Sequence, residues 1–373
     1  MKRIAGILLG LMVFMSSVAM AAQAENSAPG SRIKELLSEW HKTDKAPTGE
    51  TGISGRVGLV WQPRIDDGND MSEEEKLPGM NVVSPCWFRI ISEDGTLGDA
   101  ALSPDKDYVK NAQKRGYKVW ALVSNSFNPD MTHVLLNNQA ACNRAVSEIV
   151  YAAKEYKLDG INLDFENMEE EDRDAFSNFV SKLGAALHKE GKAFSVDVTF
   201  PGGSPNWSLC YDRAAIAAAA DYVMVMAYDE HPSGSRTSGS VASLGWVENG
   251  VQAMLREVPS DKLVLGMPLY SRIWTESDGM VSDVETLWMA QADRLVKEKK
   301  LTRVWDMDAG QYYFEYKKGG RTCRVWQENA RSIALKAALI SRYDLAGAAL
   351  WRRGFETDDV WPVLAAELEN SQR

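Results

Sequence analysis

The residue types best suited to chemistry in this chain lie together on one short segment. Leu158–Asn167 reads LDGINLDFEN, in which apolar residues alternate with Gly160, Asn162, Asp164 and Glu166. A period of two is typical of a β-strand, so one amide and two carboxyl groups point to the same side of it. Because a buried carboxylate is costly unless it is compensated, we expect acids in this arrangement to perform chemistry. The alternative is a solvated edge strand, but the uniformly apolar opposite face favours a central parallel strand.

Eight apolar runs bounded by turn residues predict the strands around this segment. They are Gly55–Trp61, Asn81–Phe88, Tyr117–Val123, Leu158–Phe165, Ala193–Phe200, Asp221–Tyr228, Lys262–Tyr270 and Leu345–Trp351. Helical patterns separate most of the runs and cover Asp105–Arg115, Asn138–Tyr156, Glu170–Lys189, Asp212–Ala220, Val247–Glu257, Ala330–Arg342 and Asp358–Leu368. The first connection is polar and is expected to hold only a short helix around Ser72–Lys76. Strands and helices that alternate eight times predict an α/β fold, the (β/α)8 or TIM barrel.

Three regions lie outside this alternation. Residues 1–24 have the basic start, short apolar run and small-residue end of a secretory signal peptide, which predicts a secreted or cell-envelope protein. Residues 25–52 are expected to form one short helix and a linker before a barrel over residues 53–369. A small α+β insertion is predicted between strand seven and helix seven, at about residues 275–328. It would hold a helix over Val284–Lys299 and two strands, Tyr312–Tyr316 and Thr322–Trp326.

Composition narrows the class of partner. The 373 residues carry a formal net charge of −10, which makes nucleic acid and anionic lipid poor partners and a neutral polysaccharide a better one. The 12 Trp suit sugar binding because aromatic rings stack on pyranose faces, although most of them are expected in the core. Cys86, Cys142, Cys210 and Cys323 lack the spacing of a zinc site, and their disulfide pairing is left open. We expect a monomer without metal, cofactor or membrane span.

Several predicted strands end at the same rim of the barrel, which is where active sites of this architecture lie. The inward residues at or just beyond these ends are Asp164 and Glu166 on strand four, Met226, Tyr228 and Asp229 on strand six, and Trp351 on strand eight. For Met226, core packing is the competing role. Further candidates for sugar contact, which end or follow strands two, three and seven, are Trp87, Asn125, Tyr270 and Arg272.

These residues also carry a family resemblance. DGINLDFE resembles the DGxDxDxE signature of glycoside hydrolase family 18, the chitinases and related N-acetylglucosaminidases. DYVMVMAYDE from Asp221, GMPLYSRIW from Gly266 and GAALW from Gly347 are similar to other stretches of that family. The resemblance covers most of Ile53–Leu364, and WFRI, SNSFNP, MAYDEH and VWQENARS look closest to the branch of spore-cortex fragment-lytic N-acetylglucosaminidases. The chain departs from the signature at Asn162, where many chitinases have an aspartate.

The resemblance implies a retaining hydrolase of β-1,4-linked N-acetylglucosamine glycans. Glu166 would be the general acid, with a pKa raised by desolvation and by the charge of Asp164. In this family the 2-acetamido oxygen of the sugar replaces an enzyme nucleophile, so Asp164 would orient the acetamide N–H and Tyr228 would donate a hydrogen bond to its oxygen. The implied binding residues include Asn162, Asp229 for sugar hydroxyls, and Trp351 as the floor of the −1 subsite.

Alternatives stay open at the level of sequence. The substrate could be peptidoglycan or cortex fragments, chitin or N-glycans, and the cleavage could be endo or exo. A non-catalytic, lectin-like barrel is a second class of function, against which the presence of Glu166 argues. A structural envelope protein would not need the row of acids. Because Asn162 is neutral, Asp164 is expected to titrate more simply here than in relatives with the full acid row.

Overall fold

Eight parallel strands form a closed barrel in the computed structural model, which describes residues 49, 51–63, 65 and 69–369. The barrel strands are β1 (Val57–Gln62), β2 (Val82–Ile90), β4 (Lys118–Ser124), β5 (Gly160–Asp164), β6 (Ala193–Val198), β7 (Tyr222–Met226), β8 (Leu263–Pro268) and β14 (Gly347–Trp351). Strand β1 pairs in parallel with both β2 and β14, which closes the barrel. A short strand β3 (Leu97–Asp99) adds an antiparallel edge to β2. The predicted TIM barrel is confirmed.

Helices follow most of the strands and pack against the outside of the barrel. They are α1 (Lys106–Lys114), α2 (Pro129–Leu136), α3 (Gln139–Glu155), α4 (Arg173–Lys189), α5 (Arg213–Ala219), α6 (Leu244–Met254), α8 (Ala330–Arg342) and α9 (Val360–Glu369). Local chemistry decides where they begin. The Asn138 side chain accepts hydrogen bonds from the N–H groups of Ala140 and Ala141, which satisfies free donors in the first turn of α3.

The connections after β1 and β4 differ from the predictions. A turn replaces the short helix expected around Ser72–Lys76. Asp70 holds this turn, because its side-chain carboxylate accepts a hydrogen bond from the Ser72 N–H and its main-chain carbonyl accepts hydrogen bonds from the N–H groups of Glu73 and Glu74. Helix α2 was not predicted. It begins with Asn128 as its cap, and Pro129 occupies the first turn, where a missing N–H costs nothing.

Two apolar cores lie on the two sides of the barrel wall. The outer core joins the strands to the helices, and there the ring of Phe165 stacks against Phe176 and Phe179 of α4. The inner core fills the barrel with large side chains that include Trp61, Trp120, Leu122, Met224 and Val264. The polar residues at the barrel mouth therefore stand on a packed apolar floor.

The insertion after β8 is a five-stranded antiparallel sheet with one helix. Its elements are β9 (Tyr270–Ser277), β10 (Met280–Trp288), α7 (Met289–Lys299), β11 (Val304–Asp306), β12 (Gln311–Lys318) and β13 (Arg321–Gln327). It starts at Tyr270, earlier than predicted, and the helix expected over Val284–Lys299 is partly wrong. Val284–Trp288 instead continue β10 beside β9, since β-branched residues such as Val284 and Thr286 favour a strand.

A buried ion pair joins the insertion to the barrel. Glu328 follows β13 and Lys336 lies on α8; they are 0% and 1% exposed, and Lys336 Nζ lies 2.6 Å from Glu328 Oε1. The Glu328 carboxylate also accepts hydrogen bonds from the side chains of Gln311 and Ser332, and its N–H donates to Ser271 Oγ. These five residues, the junction cluster, fix β9, β12 and α8 relative to one another.

Several predictions concern absences or residues outside the described part. The signal peptide of residues 1–24 and nearly all of the helix and linker of 25–52 lie outside the described residues. Within the described part, no helix is both long enough and apolar enough to cross a membrane. The four cysteines are free thiols. No group of three or more His, Cys, Asp or Glu among the described residues is arranged to hold a metal ion.

Candidate active site

Strand β5 carries the predicted polar row into the barrel. Gly160, Asn162 and Asp164 are buried on the inward side, and Glu166 is half-buried just beyond the strand end. Gly160 is required by close packing, because a Cβ atom there would lie 2.7 Å from the Ala193 carbonyl oxygen on β6. Glu166 therefore lies at the rim, with Asp164 and then Asn162 below it, in the order that the sequence predicts.

Asn162 is the centre of a buried hydrogen-bond network beneath the mouth. Its Oδ1 accepts from Trp61 Nε1 at 2.8 Å and from Ser84 Oγ at 3.3 Å. Its Nδ2 donates to Ser195 Oγ at 3.0 Å and to Asp197 Oδ1 at 2.6 Å. Because an indole N–H can only donate, Trp61 fixes the orientation of the amide. Asn162 is fully buried and lies below the mouth of the barrel. The prediction that Asn162 contacts sugar is therefore wrong.

Asp197 on β6 is a site residue that the sequence analysis missed. The strand reads AFSVDV, and Ser195 and Asp197 share its inward side. The parallel register that pairs Leu163 with Val196 places Asp164 beside Asp197 on the neighbouring strand. Asp197 is only 1% exposed. The same period of two that identified the acids of β5 would have identified this one.

The acid set, which comprises Asp164, Glu166 and Asp197, is strongly desolvated. Burial raises the pKa of Asp164 to about 7, and the contact with Glu166 opposes part of this rise. Burial, followed by the charge of Asp164, raises the pKa of Glu166 and of Asp197 well above the usual range. The expectation that Asp164 titrates more simply than in relatives with the full acid row did not take Asp197 into account, which is a second acid beside Asp164.

One oxygen of the acid set has no partner within the protein. Asp164 Oδ1 is buried and accepts no hydrogen bond in the described part of the chain. An unpaired buried acceptor is costly, and such groups in native proteins call for an explanation. Here the atom lies at the strand end that faces the barrel mouth, so a donor on a bound ligand would satisfy it.

Asn125 holds the main chain of Glu166. Its Oδ1 accepts from the Glu166 N–H at 3.1 Å, and its Nδ2 donates to the Glu166 carbonyl at 2.7 Å and to Thr132 Oγ1 at 3.0 Å. Asn125 is 0% exposed. The prediction that it touches sugar is therefore corrected: its amide is saturated by the protein, and it fixes the position of the candidate acid.

Tyr228 and Asp229 follow β7 on the same rim. Burial, followed by the charge of Glu166, raises the pKa of the Tyr228 phenol well above its usual value, so the hydroxyl keeps its proton. Asp229 Oδ1 accepts hydrogen bonds from Tyr270 Oη and Arg272 Nη2, each at 2.6 Å. Tyr270 and Arg272 are largely buried and anchor Asp229, a role that the sequence did not predict for them, and their contact with sugar stays a prediction. The first strand of the insertion thus positions a residue of the barrel rim.

Aromatic rings form the floor of this pocket. Trp351 ends β14 half-buried, and its ring centre lies 5.9 Å from that of Trp61 in an edge-to-face arrangement. Ala349 lies in the inner core beneath the rim and leaves room for the large indole. Met226 ends β7 on the same side as Met224 and is largely buried.

Trp87 is the predicted site residue that the structure does not bring to the mouth. Cys86 packs against the inner core, so strand alternation turns Trp87 outward, and a β-bulge lies at this point of β2. The ring packs against Phe88, Tyr108 and Tyr156 in the outer core and is 1% exposed. The prediction that Trp87 contacts sugar is wrong because it relied on strand position without side-chain direction.

Comparison with known proteins agrees with this geometry. The model of glycosyl hydrolases family 18 matches residues 88–356 of the chain. The chain is 31% identical over 297 residues to the uncharacterized glycosylase YvbX of Bacillus subtilis, which covers 76% of this chain and 84% of that protein. It is 28% identical over 251 residues to a cortical fragment-lytic enzyme of the same organism, covering 65% of this chain but only 58% of the relative.

A solved structure gives the same result for the fold. The chitinase from Chromobacterium violaceum superimposes with a TM-score of 0.76 and 28% sequence identity. The match covers 86% of this chain and all of that one. The barrel and its insertion therefore occur together in a crystallised protein of similar sequence.

Proposed function

Because the chain belongs to glycosyl hydrolases family 18 and is therefore a glycosidase of N-acetylglucosamine-containing glycans, we propose that it cleaves β-1,4 linkages with retention of configuration. The observation that carries this proposal is the buried, unpaired Oδ1 of Asp164 beside the half-buried Glu166. One acid offers an acceptor for a substrate N–H, and the other offers a proton.

Glu166 is the general acid of this proposal. Its raised pKa keeps the carboxyl protonated near neutrality, which matches the requirement for protonating a glycosidic oxygen. As the C1–O bond breaks, the proton passes from Glu166 to the leaving oxygen. The resulting carboxylate then takes a proton from the water that attacks C1, which returns the enzyme to its starting state.

Asp164 and Tyr228 act on the 2-acetamido group. The acetamide oxygen attacks C1 as the leaving group departs and forms an oxazolinium ion, which water then opens. Asp164 accepts a hydrogen bond from the acetamide N–H and offsets the positive charge that develops on the oxazolinium ion. The protonated Tyr228 hydroxyl donates to the acetamide oxygen and directs it toward C1. The half-buried Trp351, which packs edge-to-face on the buried Trp61, provides the aromatic floor for this sugar.

The geometry of the acids argues against an enzyme nucleophile. Two-carboxylate retaining glycosidases hold their acid and nucleophile about 5–5.5 Å apart, on opposite sides of the scissile bond. Here the carboxyls of Asp164 and Glu166 interact directly on one strand end. Asp229 is engaged by Tyr270 and Arg272. The substrate's own acetamide therefore fills the role of nucleophile.

Among substrates we favour peptidoglycan or cortex fragments over chitin. Several relatives carry the name cortical fragment-lytic enzyme, and one matched structure is titled a spore cortex-lytic enzyme. A wall glycan is reached only after export, which the predicted signal peptide of residues 1–24 would provide. Amino-terminal sequencing of the protein recovered from the culture medium tests the export, and a mature start near Glu25 is expected.

Three aryl glycosides with one leaving group test the chemistry. The N-acetylglucosaminide should be cleaved, whereas the matched glucosaminide and glucoside, which lack the acetamide, should not. Equal cleavage of the glucoside would overturn the substrate-assisted mechanism. Parallel digestion of purified peptidoglycan and of chitin oligomers, with mass spectrometry of the products, identifies the glycan and shows whether cleavage is endo or exo.

A further inference from the structure

We infer that Asp197 is the second acid of the catalytic row and shares one proton with Asp164, in the role that the sequence signature gives to an aspartate at position 162. The inference rests on the proposed function, because it concerns how Asp164 becomes ready to receive an acetamide. Asp197 is a positioning residue in this account, since it acts on the substrate only through Asp164.

Geometry places the two carboxyl groups side by side. Strands β5 and β6 pair in parallel, with Asn162 opposite Ser195 and Leu163 opposite Val196, so Asp164 and Asp197 follow as neighbours. Adjacent strands lie about 4.8 Å apart, and both side chains point inward. Asp164 is 7% exposed and Asp197 is 1% exposed. Two carboxyl groups this close and this dry cannot both ionise easily.

Among the described residues, the titratable groups that act on the pair or are acted on by it are mostly neutral or acidic. Cys86 on β2, Glu166 beyond β5, and Tyr228 and Asp229 beyond β7 surround the two acids, and these groups are neutral or acidic. Arg352 after β14 acts on Cys86, but no cation is among the causes that shift the pKa of Asp164 or of Asp197. One proton must therefore stay within the pair near neutral pH.

Asn162 binds Asp197, and this contact explains the departure from the signature. Trp61 and Ser84 donate to its Oδ1, so its Nδ2 must face Asp197, to which it donates at 2.6 Å. An aspartate at 162 would instead confront Asp197 directly with a second carboxyl. With an amide at position 162 and an acid at position 197, each of the two adjacent strands carries one buried carboxyl group, that of Asp164 on β5 and that of Asp197 on β6.

The shared proton has a role in the reaction. When the substrate acetamide N–H approaches Asp164 Oδ1, the charge of the pair is drawn to Asp164, and the proton resides on Asp197. Asp164 then offsets the positive charge of the oxazolinium ion. When that ion is hydrolysed, the pair returns to its resting distribution, and no proton is gained or lost by the pair over the cycle.

The test uses Asp197→Asn, Asn162→Asp and the reciprocal double variant Asn162→Asp/Asp197→Asn. Carbon-13 NMR of aspartate-labelled protein, assigned with Asp164→Asn, should show the titration midpoint of Asp164 falling by about one pH unit or more in Asp197→Asn. The pH profile of kcat should lose the matching limb, and kcat should fall by roughly tenfold. The double variant should restore both, because the acid has only changed strands.

Asp221→Asn is the matched control. Asp221 is also a buried acid, but it lies at the opposite end of the barrel and accepts from the N–H groups of Gly49 and Phe194. The Asp221→Asn substitution should lower the thermal midpoint and leave the titration of Asp164 unchanged. The inference would be overturned if the titration midpoint of Asp164 were the same in Asp197→Asn and in the wild type. It would also be overturned if the double variant had neither a higher kcat nor a more nearly wild-type Asp164 midpoint than Asp197→Asn. Failure to hydrolyse acetamido sugars would instead refute the proposed function, since the NMR titration judges the acid pair without substrate.

Discussion

The junction cluster and the acid set both hold carboxyl groups in the interior of the protein, and the hydrogen bonding of these groups is completed in opposite ways. In the junction cluster, Glu328 receives hydrogen bonds from Lys336, Gln311 and Ser332, so its carboxylate is neutralised and saturated. In the acid set, Asp164 Oδ1 accepts no hydrogen bond from any residue that the structure describes, and burial is the main cause that raises the pKa of Asp164. The polar groups of the junction cluster bind one another, whereas the acid set keeps a hydrogen-bond acceptor that a ligand can bind.

This difference separates structural from chemical uses of a buried charge. A buried carboxylate that is fully paired stabilises one arrangement of its neighbours, and losing a partner is strongly destabilising. A carboxyl that is buried without a counter-charge keeps its proton at higher pH and can give it up to a substrate. We therefore expect changes in the acid set to affect activity and the pH dependence of stability, and changes in the junction cluster to lower stability without affecting activity.

Glu166→Gln should have the largest effect of any change in the acid set. It removes the proposed proton donor while preserving shape, so kcat on an aryl N-acetylglucosaminide should fall about 10²–10⁴-fold. The thermal midpoint should not fall, because no partner of a paired charge is lost. Steady-state kinetics and thermal denaturation of both proteins check this. Near wild-type kcat would exclude Glu166 as the acid.

Lys336→Met should have the opposite signature. It leaves the fully buried Glu328 without its cation, which should cost about 3–5 kcal/mol of unfolding free energy. The kcat of the folded fraction should stay near that of the wild type. Denaturant unfolding measures the loss, and the double variant Glu328→Gln/Lys336→Met should recover part of it. If the single and double variants are equally stable, the pair is not the unit described here.

Asp164→Asn should change how stability depends on pH. The folded-state pKa of Asp164, about 7, lies above its unfolded value near 3.8, so the folded wild type holds a proton that the unfolded chain releases. Stability from this group is complete below about pH 3.8 and is lost as the pH rises through 7. The variant should thus be more stable than wild type by about 2–4 kcal/mol at pH 8 and little different at pH 4. Parallel curves of thermal midpoint against pH would contradict this assignment.

Asn125→Ala should reduce activity by a smaller factor, through position alone. Loss of both hydrogen bonds to the Glu166 main chain frees the strand end, and misplacement by about 1 Å can cost up to about 10²-fold in rate. We expect kcat to fall roughly 10–10²-fold while the acidic limb of the pH profile keeps its position. Thr132→Val, which removes only the third partner of the Asn125 amide, is the control and should lose less.

Much of the fold and the centre of the site could be predicted from the sequence. Period-two alternation around Asn162 and Asp164 gave the direction of each side chain, because one face of β5 is entirely apolar. The helices were found for a similar reason, since their apolar faces pack on the barrel. The family resemblance added roles for Glu166 and Tyr228 that alternation alone does not supply.

The errors arose where contacts across the sheet decide the outcome. Trp87 and Asn125 were assigned by their position at strand ends, yet one points outward and the other is held by Glu166. The start of the predicted insertion helix is part of β10, because its β-branched residues favour a strand and pair with β9. Asp197 was missed because its significance comes from Asp164 on the adjacent strand, 33 positions earlier in the chain.

The two hydrogen bonds between Asn125 and residue 166 involve only the main chain of residue 166, so they do not depend on which side chain that residue carries. An exchange at this position therefore leaves the strand end, the aromatic floor and the unpaired Asp164 oxygen where they are. Glu166→Gln would therefore convert a hydrolase into a binding reagent that retains N-acetylated glycans for purification or imaging. The barrel would keep its selectivity, since the parts that recognise the sugar and the part that breaks it are attached to the scaffold separately.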